Sequence, residues 1–204
     1  MERQEYENYW EDWICASNSR FSEFSSCIGR NPREKVYDKL KQYGMKTILD
    51  VGCGLALDYP YCKDIGLEYS GVDITRSFVN KVKKQYPKID VQVARIQDLP
   101  FDDNSKNVVQ VRAVFEHLPE FESALKELVR VTNNLVVIGW FLPPEEKEKI
   151  FLLEKVRGGK VYHNIYSKER VDKALIDNNL KIVEKIKILK EDSSINYMET
   201  WICK

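Results

Sequence analysis

With 204 residues, 43% of them hydrophobic and 31% charged, the chain has the apolar content of one ordinary globular domain rather than a disordered or fibrous one. The 32 Lys and Arg cancel the 32 Asp and Glu, so no global field draws in nucleic acid or an anionic membrane, and neither is expected as a partner. Five scattered cysteines without a Cys-x-x-Cys pair, and only two histidines, speak against a disulfide framework and a metal centre.

No apolar run approaches the roughly 18 residues that would span a bilayer. The start, Met1-Glu2-Arg3-Gln4-Glu5-Tyr6-Glu7, lacks the apolar core of a signal peptide. A cytoplasmic location is therefore expected. Residues 1–44 stand apart and are expected to form a helical cap or lid. There Tyr6, Tyr9, Trp10 and Trp13 share one helical face, either packed on the body of the domain or turned toward a substrate.

From about Lys46 short apolar runs alternate with helix-period segments, the signature of a parallel sheet covered by helices. Strands are expected at Thr47–Val51, Tyr69–Asp73, Val91–Arg95, Val108–Arg112 and Leu135–Trp140. Thr75 is placed to cap a helix reaching Tyr86. Pro119, Glu120 and Glu122 open another, which runs to Val131 and closes at Asn133-Asn134. Pro143-Pro144 should start a Glu- and Lys-rich helix that Gly158-Gly159 ends, and Ser167 should cap one stopping at Asn178-Asn179. Two alternating segments, Lys181–Lys190 and Asn196–Lys204, flank the turn-like Glu191-Asp192-Ser193-Ser194. So short a connection makes them antiparallel.

The stretch Ile48-Leu49-Asp50-Val51-Gly52-Cys53-Gly54-Leu55-Ala56 carries most of the functional information. An apolar strand runs into two glycines, whose backbone admits positive φ and close approach of a ligand. About twenty residues on, the next strand ends in Asp73, where nucleotide-binding α/β folds place an acid against ribose hydroxyls. Leu57 stands where a dinucleotide fingerprint needs its last glycine, which disfavours a dehydrogenase.

Asp50-Val51-Gly52-Cys53-Gly54 resembles the signature of class I S-adenosylmethionine-dependent methyltransferases, especially the branch that methylates small metabolites. Arg95-Ile96-Gln97-Asp98-Leu99-Pro100-Phe101, Val114-Phe115-Glu116-His117-Leu118 and Ala124–Val131 resemble later motifs of that family, in its order. The resemblance covers about residues 45–204. It implies an α/β Rossmann-like, seven-stranded, mostly parallel sheet of order 3-2-1-4-5-7-6, with the last strand antiparallel and helices on both faces.

It also implies S-adenosylmethionine as cofactor, S-adenosylhomocysteine as product, and a small-molecule acceptor methylated on oxygen or nitrogen without metal. Asp50, Gly52, Cys53, Gly54, Asp73, Ile74, Gln97, Asp98, Leu99 and Arg112 then line the cofactor, with Asp73 on the ribose and Asp98 on the adenine. Other roles stay open for several of them: Asp50 as a buried acid satisfying loop amides, Asp73 as a helix cap, Asp98 as part of a turn.

The family's third glycine is Ala56 here, read as a tolerated variant: alanine tolerates ordinary helical angles and adds a methyl group near the cofactor's methionine end. His117, beyond the fourth strand, is the first candidate base, or else a helix cap; His163 is the second. Arg112, Trp140 and Tyr166 are candidate acceptor contacts. The competing reading is a surface pair with Glu116 or Glu120 for Arg112, and core packing for Trp140. Arg112-Ala113-Val114-Phe115 lacks the Asn-Pro-Pro-Tyr-like sequence of enzymes that methylate planar amino groups. A non-catalytic binding module and a protein or RNA methyltransferase remain the alternative functions.

Overall fold

A computed structural model of the chain describes residues 9–11, 30–154, 160–189 and 197–204. In chain order the elements are α1 (Arg30–Gln42), β1 (Thr47–Val51), α2 (Tyr59–Asp64), β2 (Glu68–Asp73), α3 (Arg76–Gln85), β3 (Asp90–Val93), β4 (Lys106–Arg112), a 3-10 turn (Phe115–His117), α4 (Glu122–Val131), β5 (Thr132–Trp140), β6 (Leu152–Glu154), β7 (Lys160–Tyr162), α5 (Lys168–Asp177), β8 (Ile182–Leu189) and β9 (Tyr197–Cys203).

The main sheet has seven strands in the order β3-β2-β1-β4-β5-β9-β8. Strands β1 to β5 pair in parallel; β9 runs antiparallel to both β5 and β8. This is the arrangement expected from the sequence, with β8 and β9 as its sixth and seventh strands. The central strands are buried along nearly their whole length, as strands covered on both faces must be. One core joins the inner residues of α4 and α5 to one face, around Leu125, Leu128, Ile138 and Trp201. The other joins α1, α2 and α3 to the opposite face, around Tyr37, Leu40, Ile48 and Ile202.

Within the expected cap, α1 packs on the sheet: Val36, Tyr37 and Leu40 are buried, and Tyr37 stacks on Tyr61 with ring centroids 5.7 Å apart. Tyr9 and Trp10 belong to the helical residues 9–11, whereas Tyr6 and Trp13 lie outside the described residues, as do Glu191–Ser194.

The helix expected after Pro143-Pro144 is absent. Its charged residues have helical propensity, but their backbone is taken up by a distant strip. Glu145 N donates to Tyr166 O, and Lys149 and Ile165 exchange both of their N–H bonds. Leu152–Glu154 and Lys160–Tyr162 then pair as a small antiparallel hairpin. Tertiary pairing outweighs local propensity here. Asn133 and Asn134 likewise belong to β5, which follows α4 directly. Ser167 does cap α5, accepting from Arg170 N at 3.2 Å.

The excursion between β5 and α5 is fastened to the turn after β4. The Tyr166 hydroxyl lies 2.8 Å from Leu118 O and 3.1 Å from Phe115 O, and Asn164 Nδ2 donates to Leu118 O at 2.8 Å. Replacing Tyr166 by Phe leaves buried carbonyls without that partner. Urea unfolding of Tyr166→Phe is expected to show a loss of about 1–2 kcal/mol.

Candidate active site

The carboxyl ends of β1, β2, β4 and β5 meet at one edge of the sheet, where ligands collect in open α/β folds. Gly52 ends β1 with φ +74°, a left-handed angle that glycine takes without strain. A Cβ there would come within 2.4 Å of Val114 Cγ2, so the turn also needs glycine for space. The N–H groups of Gly52 and Cys53 both donate to Val72 O, at 2.8 and 3.0 Å. Gly54 N donates to Asp73 Oδ2 and Thr75 N to Asp73 Oδ1, each at 2.8 Å. Asp73 thus clasps two turns at once. It caps the approach to α3 as well as facing the edge, while Thr75 makes no side-chain cap. Burial raises its pKa, against the two amide bonds that lower it.

Ala56 does not take ordinary helical angles: its φ is +51° and its methyl is fully buried. The turn keeps the left-handed geometry of a glycine and accepts the strain of alanine, worth about 1–2 kcal/mol. Cys53 is buried, and burial pushes its thiol well above the usual range.

Among the described residues, Asp50 accepts from side chains and from no loop amide. It accepts from Tyr69 Oη at 2.9 Å and from Gln110 Nε2 at 3.2 Å, and the same Gln110 Nε2 donates to Asp58 Oδ2 at 2.9 Å. Burial raises the pKa of Asp50, and the nearby Asp58 adds to the rise. Arg112 is no surface residue paired with Glu116 or Glu120; its Nη2 lies 3.3 Å from Asp58 Oδ2 in this interior network. Burial pulls down the Arg112 pKa, but Asp58, Tyr37 and Asp50 outweigh it and raise it.

Ile74 and Gln97 are half-buried, Leu99 is buried and Asp98 is exposed on the turn after β3. That turn is anchored to α4: Leu99 N donates to Glu127 Oε1 at 2.8 Å, and Arg130 donates to Leu99 O and Phe101 O.

Across the edge from the glycine turn, the structure brings both histidines together. Their ring centroids are 4.9 Å apart; Trp10 stands 5.0 Å from His117, and Phe141 6.4 Å from His163. His117 Nδ1 lies 2.8 Å from Tyr162 O. A carbonyl only accepts, so Nδ1 carries the proton. Trp140 and Tyr166 do not join this cluster. Trp140 is 1% exposed and packs on Phe115, Phe121 and Trp201, while Tyr166 is fully buried with its hydroxyl held by backbone carbonyls. Both are core residues, because β5 and the 164–166 strip turn those side chains toward α4 rather than the edge.

Two acids escaped the sequence reading. Glu11 accepts from Ser77 Oγ at 2.5 Å, tying residues 9–11 to the start of α3. No local pattern marks a contact spanning sixty-six positions. Glu116, read there as part of a motif and as a possible surface partner of Arg112, is 1% exposed, and its Oε1 accepts from Phe141 N at 2.6 Å and Leu142 N at 3.1 Å. Its Oε2 is buried with no hydrogen-bond partner, and burial pushes its pKa up to about 7.

A reversed last strand beside β5 and a glycine turn clasped by the acid ending β2 define the class I S-adenosylmethionine-dependent methyltransferase fold. Residues 49–136 match a family model described as a methyltransferase domain. Over those residues the chain is similar to class I methyltransferase domains, and S-adenosylmethionine is the cofactor of that class.

The chain is similar to a protein of Mycolicibacterium smegmatis described as a probable S-adenosylmethionine-dependent methyltransferase, with 29% identity over 99 residues, 48% of this chain and 38% of that one. It is equally similar to a demethylmenaquinone methyltransferase of Renibacterium salmoninarum, 29% identical over 104 residues, 51% of this chain and 44% of the relative. The matches therefore span less than half the length of these relatives. Among solved structures, the 1,6-didemethyltoxoflavin-N1-methyltransferase of Burkholderia thailandensis, bound to 1,6-didemethyltoxoflavin and S-adenosylhomocysteine, superposes with a TM-score of 0.74 at 10% identity. It covers 98% of this chain and 88% of that one.

Glu116 gives the fold a measurable pH dependence. Its pKa rises from 4.5 in the unfolded chain to about 7 in the folded one, so the native state holds the proton more tightly. The associated stability is present below pH 4.5 and is lost as pH rises through 7. Glu116→Gln keeps an oxygen for both amides and does not ionise. Denaturation from pH 4.5 to 7 is expected to show wild-type stability falling relative to Glu116→Gln by about 3 kcal/mol. Parallel profiles would show that Glu116 is not the group responsible.

Proposed function

We propose that the protein transfers a methyl group from S-adenosylmethionine to an oxygen or nitrogen of a small, planar ring acceptor. The observation that carries this reading is the position of the His117, His163, Trp10 and Phe141 rings across the strand edge from the turn organised by Asp73. Rings of these types stack on a flat acceptor and exclude water around it. The names of two similar proteins, a demethylmenaquinone and a didemethyltoxoflavin methyltransferase, agree with an acceptor of this shape.

The glycine turn and Asp73 fit the cofactor. Gly54 is partly exposed beside the carboxylate, and Asp73, oriented by two backbone N–H groups, has further lone pairs for the ribose hydroxyls. Asp98, exposed on its anchored turn, meets the adenine amino group, with Ile74, Gln97 and Leu99 around the base.

When bound, the cofactor supplies a sulfonium whose methyl carbon is open to in-line attack. Held by the glycine turn and Asp73, it would give that methyl to the acceptor atom and be left as a neutral thioether. His117 Nε2 takes the proton that the acceptor's hydroxyl or ring N–H releases, while Tyr162 O holds Nδ1–H and steadies the ring. The protein mainly aligns the partners and keeps them dry.

Calorimetry with S-adenosylhomocysteine is expected to show binding that Asp73→Ala weakens ten- to a hundredfold. A screen of hydroxylated and nitrogen-containing ring compounds should yield S-adenosylhomocysteine, with kcat reduced roughly 10²- to 10⁴-fold in His117→Gln. No binding by folded protein would overturn the cofactor assignment, and full turnover by His117→Gln would remove the base.

A further inference from the structure

The start of α3 has no cap of its own. Thr75 makes no side-chain hydrogen bond there, and the first turn of the helix holds no acid. A carboxylate arrives instead from sixty-six positions upstream. Glu11 accepts from Ser77 Oγ at 2.5 Å, and its two oxygens lie 3.3 and 3.4 Å from Ser77 N. Free N–H groups and positive partial charge at a helix N-terminus hold an acid in that place. The position has a cost as well. Burial raises the Asp73 pKa, and the Glu11 charge adds to the rise. Two acids therefore repel each other at one end of α3, and the bonds to Ser77 outweigh the repulsion.

The residue before Glu11 reaches the other half of the edge. Trp10 meets the His117 ring edge-on, with centroids 5.0 Å and planes 66° apart. Tyr9 is buried, its ring 5.1 Å from the indole. Successive residues of a helix point about 100° apart. One short piece of backbone therefore sends a carboxylate toward α3 and an indole toward the histidines. Helices in proteins are held in place by such tertiary contacts more than by propensity. Whatever fixes Glu11 fixes Trp10.

We propose that Glu11 is a positioning residue for the acceptor: latched to Ser77 at the start of α3, it holds Trp10 against His117 and so completes the ring wall. The proposal rests on the reading of the histidine rings as the acceptor site. Glu11 acts there through Trp10. Its anchor lies on the helix that follows Asp73, whereas its effect falls on the rings across the edge. The latch thus joins the two halves of the site. An acceptor that needs Trp10 in place binds in proportion to the fraction of molecules that hold it there.

Two readings on the full chain test the latch, the first without any ligand. The chain has two histidines, so His163→Gln assigns the ring-proton signals in NMR spectra. An indole 5.0 Å away shifts those of His117 by its ring current. Trp10→Leu is expected to move the His117 signals. Glu11→Ala should move them most of the way to the same place, with Trp10 still present. Glu11→Gln keeps an oxygen for Ser77 and should move them less. In the Trp10→Leu background Glu11→Ala should add nothing, since the two act as one unit. The second reading is calorimetry with 1-naphthol, a flat hydroxylated ring, on protein saturated with S-adenosylhomocysteine. Glu11→Ala should weaken 1-naphthol about three- to thirtyfold, because losing charge-assisted bonds lowers the population with Trp10 in place. Affinity for S-adenosylhomocysteine should stay within about threefold. Ser77→Ala breaks the latch from the other side and serves if Glu11→Ala does not fold. His117 signals unmoved in folded Glu11→Ala, or moved alike with Trp10 absent, would overturn the latch. An equal fall for 1-naphthol and S-adenosylhomocysteine would place Glu11 in the cofactor site and overturn its role at the acceptor. No binding of 1-naphthol by wild type, with the signals moving as expected, would overturn the flat-ring reading and leave the coupling of Glu11 to Trp10 standing.

Discussion

The last two residues of β2 hold the functional edge together. Val72 O accepts the N–H groups of Gly52 and Cys53, and the Asp73 carboxylate accepts those of Gly54 and Thr75. Four amides from two separate turns are thereby fixed to one short piece of strand. A parallel sheet leaves such turns splayed at its carboxyl edge, and backbone groups there must find partners or face water. Here they find them in the neighbouring strand end. The turn is therefore set before any ligand arrives, which lowers the ordering cost of binding.

That arrangement explains why the glycine-turn half of the proposed site was legible in the sequence. Gly52, Gly54 and Asp73 act through local geometry: positive φ in the turn, a strand that ends in an acid, and a parallel register between Val51 and Val72. Spacing along the chain records all three. The strands and their order were legible for the same reason, since alternation and punctuation report each element separately. Ala56 shows the limit. Its identity suggested helical angles, but the turn imposes a left-handed one, and a buried methyl in the α2 core occupies the place of a hydrogen.

The histidine half of the proposed site was only partly legible. His117 and His163 stood out as the chain's two histidines, yet nothing in their spacing says that they touch. They meet because the excursion after β5 folds back on the turn after β4, through Asn164, Tyr166 and the Glu116 carboxylate. The same excursion was misread as a helix, because charge-rich composition reports propensity and not the partner strand. Trp140 and Tyr166 were misplaced by a related error: a large aromatic residue near a strand end is as suited to a core as to a pocket. Arg112 looked like an edge residue until Gly139 and Asp58, distant in sequence, showed where its stem could lie.

The buried charges divide along the same line. Beside the glycine turn Asp50, Asp58 and Arg112 share one network, so removing one member leaves the others uncompensated. Behind the histidine rings Glu116 stands apart, one oxygen satisfied by two amides and the other by none. A carboxyl in that position costs less neutral than ionised, and near pH 7 the two forms are balanced. Ionisation strengthens its hold on the Phe141 and Leu142 amides and burdens the fold with a buried charge. Phe141 packs against His163, which packs against His117. The protonation state of Glu116 therefore acts first on the backbone that carries the ring wall, two contacts away from the proposed base. Tight anchoring of that wall and global stability pull in opposite directions at this one residue.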